Sequence, residues 1–261
     1  MLDTIKLALI TGASSGIGES FARQLAALGK DLIVVARRED KLVALAEDLS
    51  AAHGVQVHVI AADLAWPGAA AALFEQTERL GLAVDLLVNN AGFAQVGAFA
   101  DLPFDAQAAM VRLNVGAVVE LTRLYLPAMR RRRRGGIINV ASNAAFQPVP
   151  YMSLYAATKA FVLHFSEGLN EEVKGDGVRV LALCPGATAT GFWSVAGVLE
   201  DRTGMMTSPD KVAAAALRAL ERGRAFVVPG LGYKLVAFAA SRLSPRWLVP
   251  GLAGRLFRPR E

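Results

Sequence analysis

The sequence predicts an α/β fold, a doubly wound parallel sheet of about seven strands with helices on both faces. Three observations carry that expectation. Short apolar runs rich in β-branched residues alternate with longer helical patterns, the signature of a parallel sheet buried between helix layers. No internal repeat, linker or low-complexity segment interrupts the alternation over 261 residues. The residues with evident chemistry fall at the carboxyl ends of the apolar runs, where such a sheet binds its ligands.

The elements follow in order. Leu7-Ala8-Leu9-Ile10 forms a first buried strand and passes through Thr11-Gly12-Ala13-Ser14-Ser15-Gly16-Ile17-Gly18 into a helical pattern over 21–28. A second strand over 31–36 runs into Arg37-Arg38-Glu39, and a third over 56–61 into Ala62-Asp63-Leu64. A fourth over 86–89 ends in Asn89-Asn90-Ala91-Gly92. The long helical run 104–129 holds Asn114 and closes with five arginines, 130–134, before Gly135-Gly136. A fifth strand over 136–141 delivers Ser142, a helix carries Tyr155 and Lys159, a sixth strand over 178–183 leads to Cys184-Pro185-Gly186, and a seventh spans 225–228.

Two of these segments are chemical devices. In strand, glycine-rich turn and helix, the glycines let the backbone approach a pyrophosphate while free N–H groups and the positive helix end stabilise its charge. The spacing Gly-x-x-x-Gly-x-Gly differs from Gly-x-Gly-x-x-Gly, and no Gly-Lys-Ser/Thr follows, which favours a dinucleotide over ATP or GTP. The alternative is a merely tight strand-to-helix turn. Tyr155 and Lys159, four residues apart on one helix face, form an acid/base pair. A positive charge about 4 Å from the phenol, at an effective dielectric of about 20, is worth roughly 4 kcal/mol and draws its pKa from near 10 toward neutrality. Spacing alone also allows a surface pair.

With both devices in place, the chain resembles the short-chain dehydrogenase/reductase superfamily in its single-domain form, through Thr11 to Gly18, Ala62-Asp63-Leu64, Asn89 to Gly92, Asn114, Ser142, Tyr155/Lys159 and Cys184-Pro185-Gly186. The resemblance covers residues 5 to about 228 and implies a Rossmann-type domain over 1–228, with 229–261 as an extension of it. It implies hydride exchange between a carbonyl and an alcohol, Tyr155 as general acid/base, Lys159 lowering its pKa and binding the nicotinamide ribose, Ser142 orienting the substrate oxygen and Asn114 anchoring a water. On the cofactor side it implies Gly12, Ser14, Ser15, Gly16, Ile17 and Gly18 as the cradle, Asp63 on the adenine amino group with Leu64 beside it, Asn90, Ala91 and Gly92 along the adenosine groove, and Pro185, Gly186 and Thr188 at the nicotinamide end. Ser142 as a loop cap and Asn114 as a break in helix geometry are the plainer alternatives. After the second strand, Ala36 stands where an NAD enzyme offers a carboxylate, and Arg37 and Arg38 follow; guanidinium forks suit a 2′-phosphate, so NADP(H) is expected over NAD(H). Otherwise the two arginines simply open the next helix as solvated charges.

Composition sets bounds. At 54% hydrophobic residues the chain can bury one sizeable core. Cys184 is the only cysteine, which rules out an internal disulfide, and Asp3 and Lys6 precede the first apolar run, unlike a secretory signal; both point to the cytoplasm. The uncharged stretch 180–199 contains Pro185, Gly186 and Gly191 and reads as a strand leaving its sheet rather than a membrane span. Segment 189–208, with Phe192, Trp193, Met205 and Met206, is expected to be an apolar lid; with Phe93, Phe146 and Tyr151 it favours a hydrophobic carbonyl or alcohol over a sugar or a highly charged metabolite. The net charge of +5 equals the arginine run, which is expected to be a solvated helix end facing the dipole rather than a nucleic-acid site. The apolar and basic tail, with Leu231, Tyr233, Leu235 and Trp247 beside Lys234, Arg242 and Arg246, is expected to pack or to join a homodimer or homotetramer; Pro245 and Pro250 argue against a long membrane-surface helix. A dinucleotide-binding sensor without turnover, or an epimerase or dehydratase, remains the rival.

Overall fold

The computed structural model describes residues 1–192, 206–239 and 249–257. Seven strands form one parallel sheet: β1 (Leu7–Thr11), β2 (Asp31–Ala36), β3 (Val57–Ala61), β4 (Leu86–Asn89), β5 (Gly135–Val140), β6 (Val178–Leu183) and β7 (Phe226–Val227), in the order β3-β2-β1-β4-β5-β6-β7. The chain winds outward from β1 to β3, then returns and winds the other way from β4. The crevice beyond β1 and β4 is therefore the switch point of the sheet.

Successive strand residues serve opposite faces. Ala8 and Ile10 of β1, Leu32 and Val34 of β2 and Leu181 and Leu183 of β6 pack against α1 (Gly16–Ala27), α2 (Glu39–His53) and, among the described helices, α7 (Pro209–Glu221). Leu7 and Leu9, Ile33 and Val35, Leu87 and Val180 pack on the other side against α3 (Ala69–Arg79) and α5 (Ala117–Arg131). Both sets are almost fully buried, so the strands read as continuous apolar runs instead of alternating ones. Each such side chain contributes about 1.5–3 kcal/mol of transfer free energy.

Helix α6 (Ser153–Val173) crosses the second face beside β5 and β6, and α4 (Phe104–Val111) lies beyond β4. Beyond β7 come α8 (Leu231–Phe238) and α9 (Val249–Phe257).

Several expectations need correction. Helix α1 begins at Gly16, not at residue 21, because the glycine-rich turn itself becomes the first helical turn, with Ser15 as N-cap. The edge strand β7 keeps only Phe226 and Val227. The long run 104–129 is not one α-helix: Arg112–Gly116 forms a wide π-type turn between α4 and α5, with the N–H of Ala117 donating to the Arg112 carbonyl five residues back. Asn114 sits in that turn, fully buried.

The arginine run is mostly occupied. Arg134 donates to Asp85 Oδ1 at 3.1 Å, Arg132 lies 3.7 Å from the same oxygen and donates to the Val84 carbonyl at 2.7 Å, Arg133 donates to the Gly175 carbonyl at 3.0 Å, and Arg130 pairs with Asp176. Asp85 also accepts the Lys6 N–H at 2.9 Å. Nor does Gly135 end the helix. Arg133 adopts a left-handed φ of 48°, and the Arg134 N–H closes back on the Met129 carbonyl at 3.1 Å. The run thus ties α5 to the amino-terminal ends of β1 and β4.

Candidate active site

The cleft forms where β1 and β4 diverge. Thr11 Oγ1 accepts the N–H groups of Asn90 and Ala91 at 2.9 and 3.0 Å, and Asn90 Nδ2 donates to the carbonyls of Thr11 and Gly12 at 2.9 and 3.2 Å. This knot holds the two strand ends at fixed separation. Gly12 turns the chain at φ 66°, and a Cβ there would meet Asn90 Nδ2 at 2.8 Å; a Cβ at Gly18 would overlap the Gly12 carbonyl. The spacing of the glycines thus encodes a close approach of α1 to its own entry turn. No side chain caps the α1 amino terminus at Ser15, which leaves its positive end open to the cleft.

Arg38 lies across this turn. Its Nη2 donates to Ser14 Oγ and Ser15 Oγ, each at 2.9 Å, and its Nε to Ser14 Oγ at 3.3 Å. Arg37 is different: its side chain is 74% exposed, and Nη1 stands 3.9 Å from Asp63 Oδ2. Asp63 also accepts the Ala65 N–H at 3.0 Å.

At the other end, α6 presents Tyr155 and Lys159. Lys159 Nζ donates to the Val140 carbonyl at 2.7 Å and lies 5.8 Å from the centroid of the Tyr155 ring, which packs 5.7 Å from the ring of Phe192. Ser142 Oγ accepts the Ala144 N–H at 3.1 Å and caps a short turn, Asn143–Phe146, so its cap reading holds alongside its place in the cleft. Asn114 braces the group from behind: its Oδ1 accepts the Phe93 N–H at 3.2 Å, and its Nδ2 donates to the Phe93 carbonyl at 3.0 Å and to Thr158 Oγ1 at 3.2 Å. The Thr158 hydroxyl in turn donates to the Tyr155 carbonyl at 2.7 Å. The wide turn on α4–α5 is thereby coupled to the tyrosine's own backbone.

The expected pull of Lys159 on the phenol is not what sets its pKa here. Burial pushes Tyr155 up to about 12, opposed by a hydrogen bond with Ser142, and burial lowers Lys159 to about 8. Desolvation is the largest cause at both groups. At neutral pH the phenol keeps its proton and is poised as a donor.

One cleft of about 1120 Å³ joins all of this. Gly12, Ser14, Ser15, Gly16, Ile17, Arg37, Arg38, Asp63, Leu64, Asn90, Ala91, Gly92, Ser142, Tyr155, Lys159, Pro185, Gly186 and Thr188 line it. Gly18 and Asn114 do not; they stand behind the wall. Sequence reasoning missed Lys41, one turn beyond Arg38 on α2 and detectable by helix spacing, and Tyr233 and Val236 from α8, for which no local signal exists. Of the expected lid, Trp193 and Met205 fall outside the described residues. Its two roots are clasped, with the Ala189 N–H on the Thr207 carbonyl at 3.0 Å and the Thr207 N–H on the Ala187 carbonyl at 2.9 Å.

The winding of the sheet and a glycine-lined cleft at its switch point define a Rossmann-type protein. The chain belongs to the short chain dehydrogenase family, whose family model matches residues 6–197. Over 189 residues it is 35% identical to the very-long-chain 3-oxoacyl-CoA reductase of Anas platyrhynchos, covering 70% of this chain and 60% of that protein. Over 182 residues it is 35% identical to the 7beta-hydroxysteroid dehydrogenase of Collinsella aerofaciens, covering 70% and 68%. The structure is similar to that of a short-chain dehydrogenase from Sphingobium yanoikuyae in complex with NADPH, with a TM-score of 0.83, 37% identity and coverage of 91% of this chain and 94% of that one. The chain therefore spans about three fifths of the length of the duck reductase. Among the described residues, no helix is long and apolar enough to cross a membrane.

Proposed function

We propose that this protein is an NADP(H)-dependent oxidoreductase that interconverts a carbonyl and an alcohol on a hydrophobic substrate. The observation that carries the reading is the convergence, in one cleft, of a phosphate-suited glycine turn clamped by Arg38 with a buried Tyr155, Lys159 and Ser142. The residues fit a dinucleotide: the open α1 terminus and Arg38 suit its phosphates, and Lys159 stands where a ribose hydroxyl would replace or join the Val140 carbonyl as acceptor. The bound nicotinamide supplies the hydride. Ser142 holds the substrate oxygen, and Tyr155 Oη gives its proton to that oxygen in reduction and takes one back in oxidation. The phenolate left after reduction is stabilised by the Ser142 hydroxyl and the Lys159 ammonium. Asn114, whose side chain bonds Phe93 and Thr158, holds the Tyr155 backbone through the Thr158 hydroxyl. The exposed Leu231, Leu235 and Phe238 on α8 suit a contact between subunits, and a cytoplasmic setting suits the buried free thiol of Cys184.

The direct test follows NADPH oxidation against ketones, aldehydes, 3-oxoacyl thioesters and steroids; turnover of none of them removes the reading. Two further outcomes are expected. Because charge-assisted hydrogen bonds are worth about 1.5–3 kcal/mol, Arg38→Ala raises the KM for NADPH at least about tenfold and leaves that for NADH within about threefold. Equal changes in both would remove the 2′-phosphate from the Arg38 fork. Lys159 loses its ammonium as pH rises through about 8, so kcat/KM for NADPH falls above that pH, and the break is absent in Lys159→Met. A profile flat to pH 10 in the unsubstituted protein contradicts the burial of that charge.

A further inference from the structure

We infer that Tyr233 is the residue that sets the size of the substrate the cleft admits. This rests on the reading that the cleft reduces a carbonyl beside Tyr155. Tyr233 stands in α8, beyond residue 197, where the family match ends. Its ring packs against Gly186, so close that a Cβ at Gly186 would overlap it. Gly186 thus serves first as the seat of an aromatic plate, a role the sequence could not assign. The seat is rigid. The Asn143 N–H donates to the Pro185 carbonyl at 2.8 Å, tying the turn to the residue after Ser142, and the Thr188 hydroxyl donates to the Gly186 carbonyl at 3.0 Å. Tyr233 therefore stands one short chain of contacts from Ser142, whose hydroxyl orients the substrate oxygen.

The plate is fixed from its own side as well. Gly230, at φ 86°, turns the chain into α8 directly over the ring, and Tyr233 and Ala237 are the buried residues of that helix, while Leu231, Leu235 and Phe238 point away. Tyr233 and Val236 line the cleft together with Phe192, which packs on Tyr155. Aromatic faces at these places leave a slot suited to a flat apolar body, and truncating the Tyr233 ring widens it at the reacting end.

The test compares kcat/KM for a fused-ring ketone and for a small cyclic ketone in the unsubstituted protein, Tyr233→Ala and Tyr233→Trp, with NADPH affinity measured by fluorescence titration. The bulky-to-small ratio is expected to rise at least tenfold in Tyr233→Ala and to fall in Tyr233→Trp, with the Kd for NADPH within threefold throughout. If Tyr233→Ala loses its cooperative melt, Tyr233→Leu, which keeps an apolar anchor on Gly186, carries the same comparison. A ratio within threefold of the unsubstituted protein in the folded variant overturns the inference while leaving the catalytic reading intact. A tenfold rise in the Kd for NADPH overturns it by making Tyr233 a cofactor contact. Absence of turnover in the unsubstituted protein overturns both.

Discussion

Tyr155→Phe is expected to lower ketone reduction by about 10²–10⁴-fold while NADPH affinity stays within threefold. With its pKa pushed up to about 12, the phenol holds its proton throughout the neutral range, and the cleft brings it beside Ser142. Phenylalanine fills the same space against Phe192 and Met152, so packing survives while the transferable proton and the hydrogen bond with Ser142 are lost. Stability should change little, because the pKa of the phenol lies far above neutrality and its ionisation contributes nothing to folding at pH 7. Steady-state kinetics with a thermal melt on the same sample decide it. Turnover within tenfold of the unsubstituted protein would hand the acid role to another group.

Asp85→Ala is expected to be the most destabilising of the surface-edge substitutions. The carboxylate is only 2% exposed and receives Arg134, Arg132 and the Lys6 N–H. Removing one partner of a buried ion pair costs about 3–5 kcal/mol. Here Arg132 and Arg134 are 30% and 39% exposed and regain part of that from water, so about 2–3 kcal/mol is the reasonable figure. For a domain of this size that lowers Tm by roughly 5–10 °C. The double variant Asp85→Ala with Arg134→Ala should recover part of the loss, since the orphaned guanidinium goes with it. A Tm shift under about 2 °C would mean that the arginines are as solvated as their bare sequence suggests.

The sheet was legible because a strand buried on both faces writes itself as an unbroken apolar run, and Leu7 to Ile10 or Val180 to Leu183 admit few other readings. The cleft residues were legible because the chemistry of a phosphate turn and of a proton donor demands particular residue types at strand ends. What stayed hidden was long-range. Nothing near Arg132 or Arg134 announces Asp85, which comes from a loop 47 and 49 residues earlier. Nothing near Tyr233 announces Gly186. Burial at Tyr155 belongs with these: the helix spacing to Lys159 is local, whereas the burial that raises the phenol's pKa is supplied by the whole fold. At Asn114 a break in helix geometry was open to the sequence but its π-type form was not, since a single extra residue in a helix leaves the apolar pattern on either side nearly unchanged.

That turn governs which changes of length the chain tolerates. In a regular helix each residue advances the side chains by about 100°. Deleting one residue between Arg112 and Gly116 would restore unbroken winding, yet it would rotate one flank against the other. Either Met110 would leave its pocket, or Leu121, Tyr125 and Met129 would swing off the sheet. The surplus residue acts as a phase lock between two halves of a single rod: substitutions there are a matter of degree, but a frame-preserving loss of one codon severs the alignment of core and catalytic helix at a stroke.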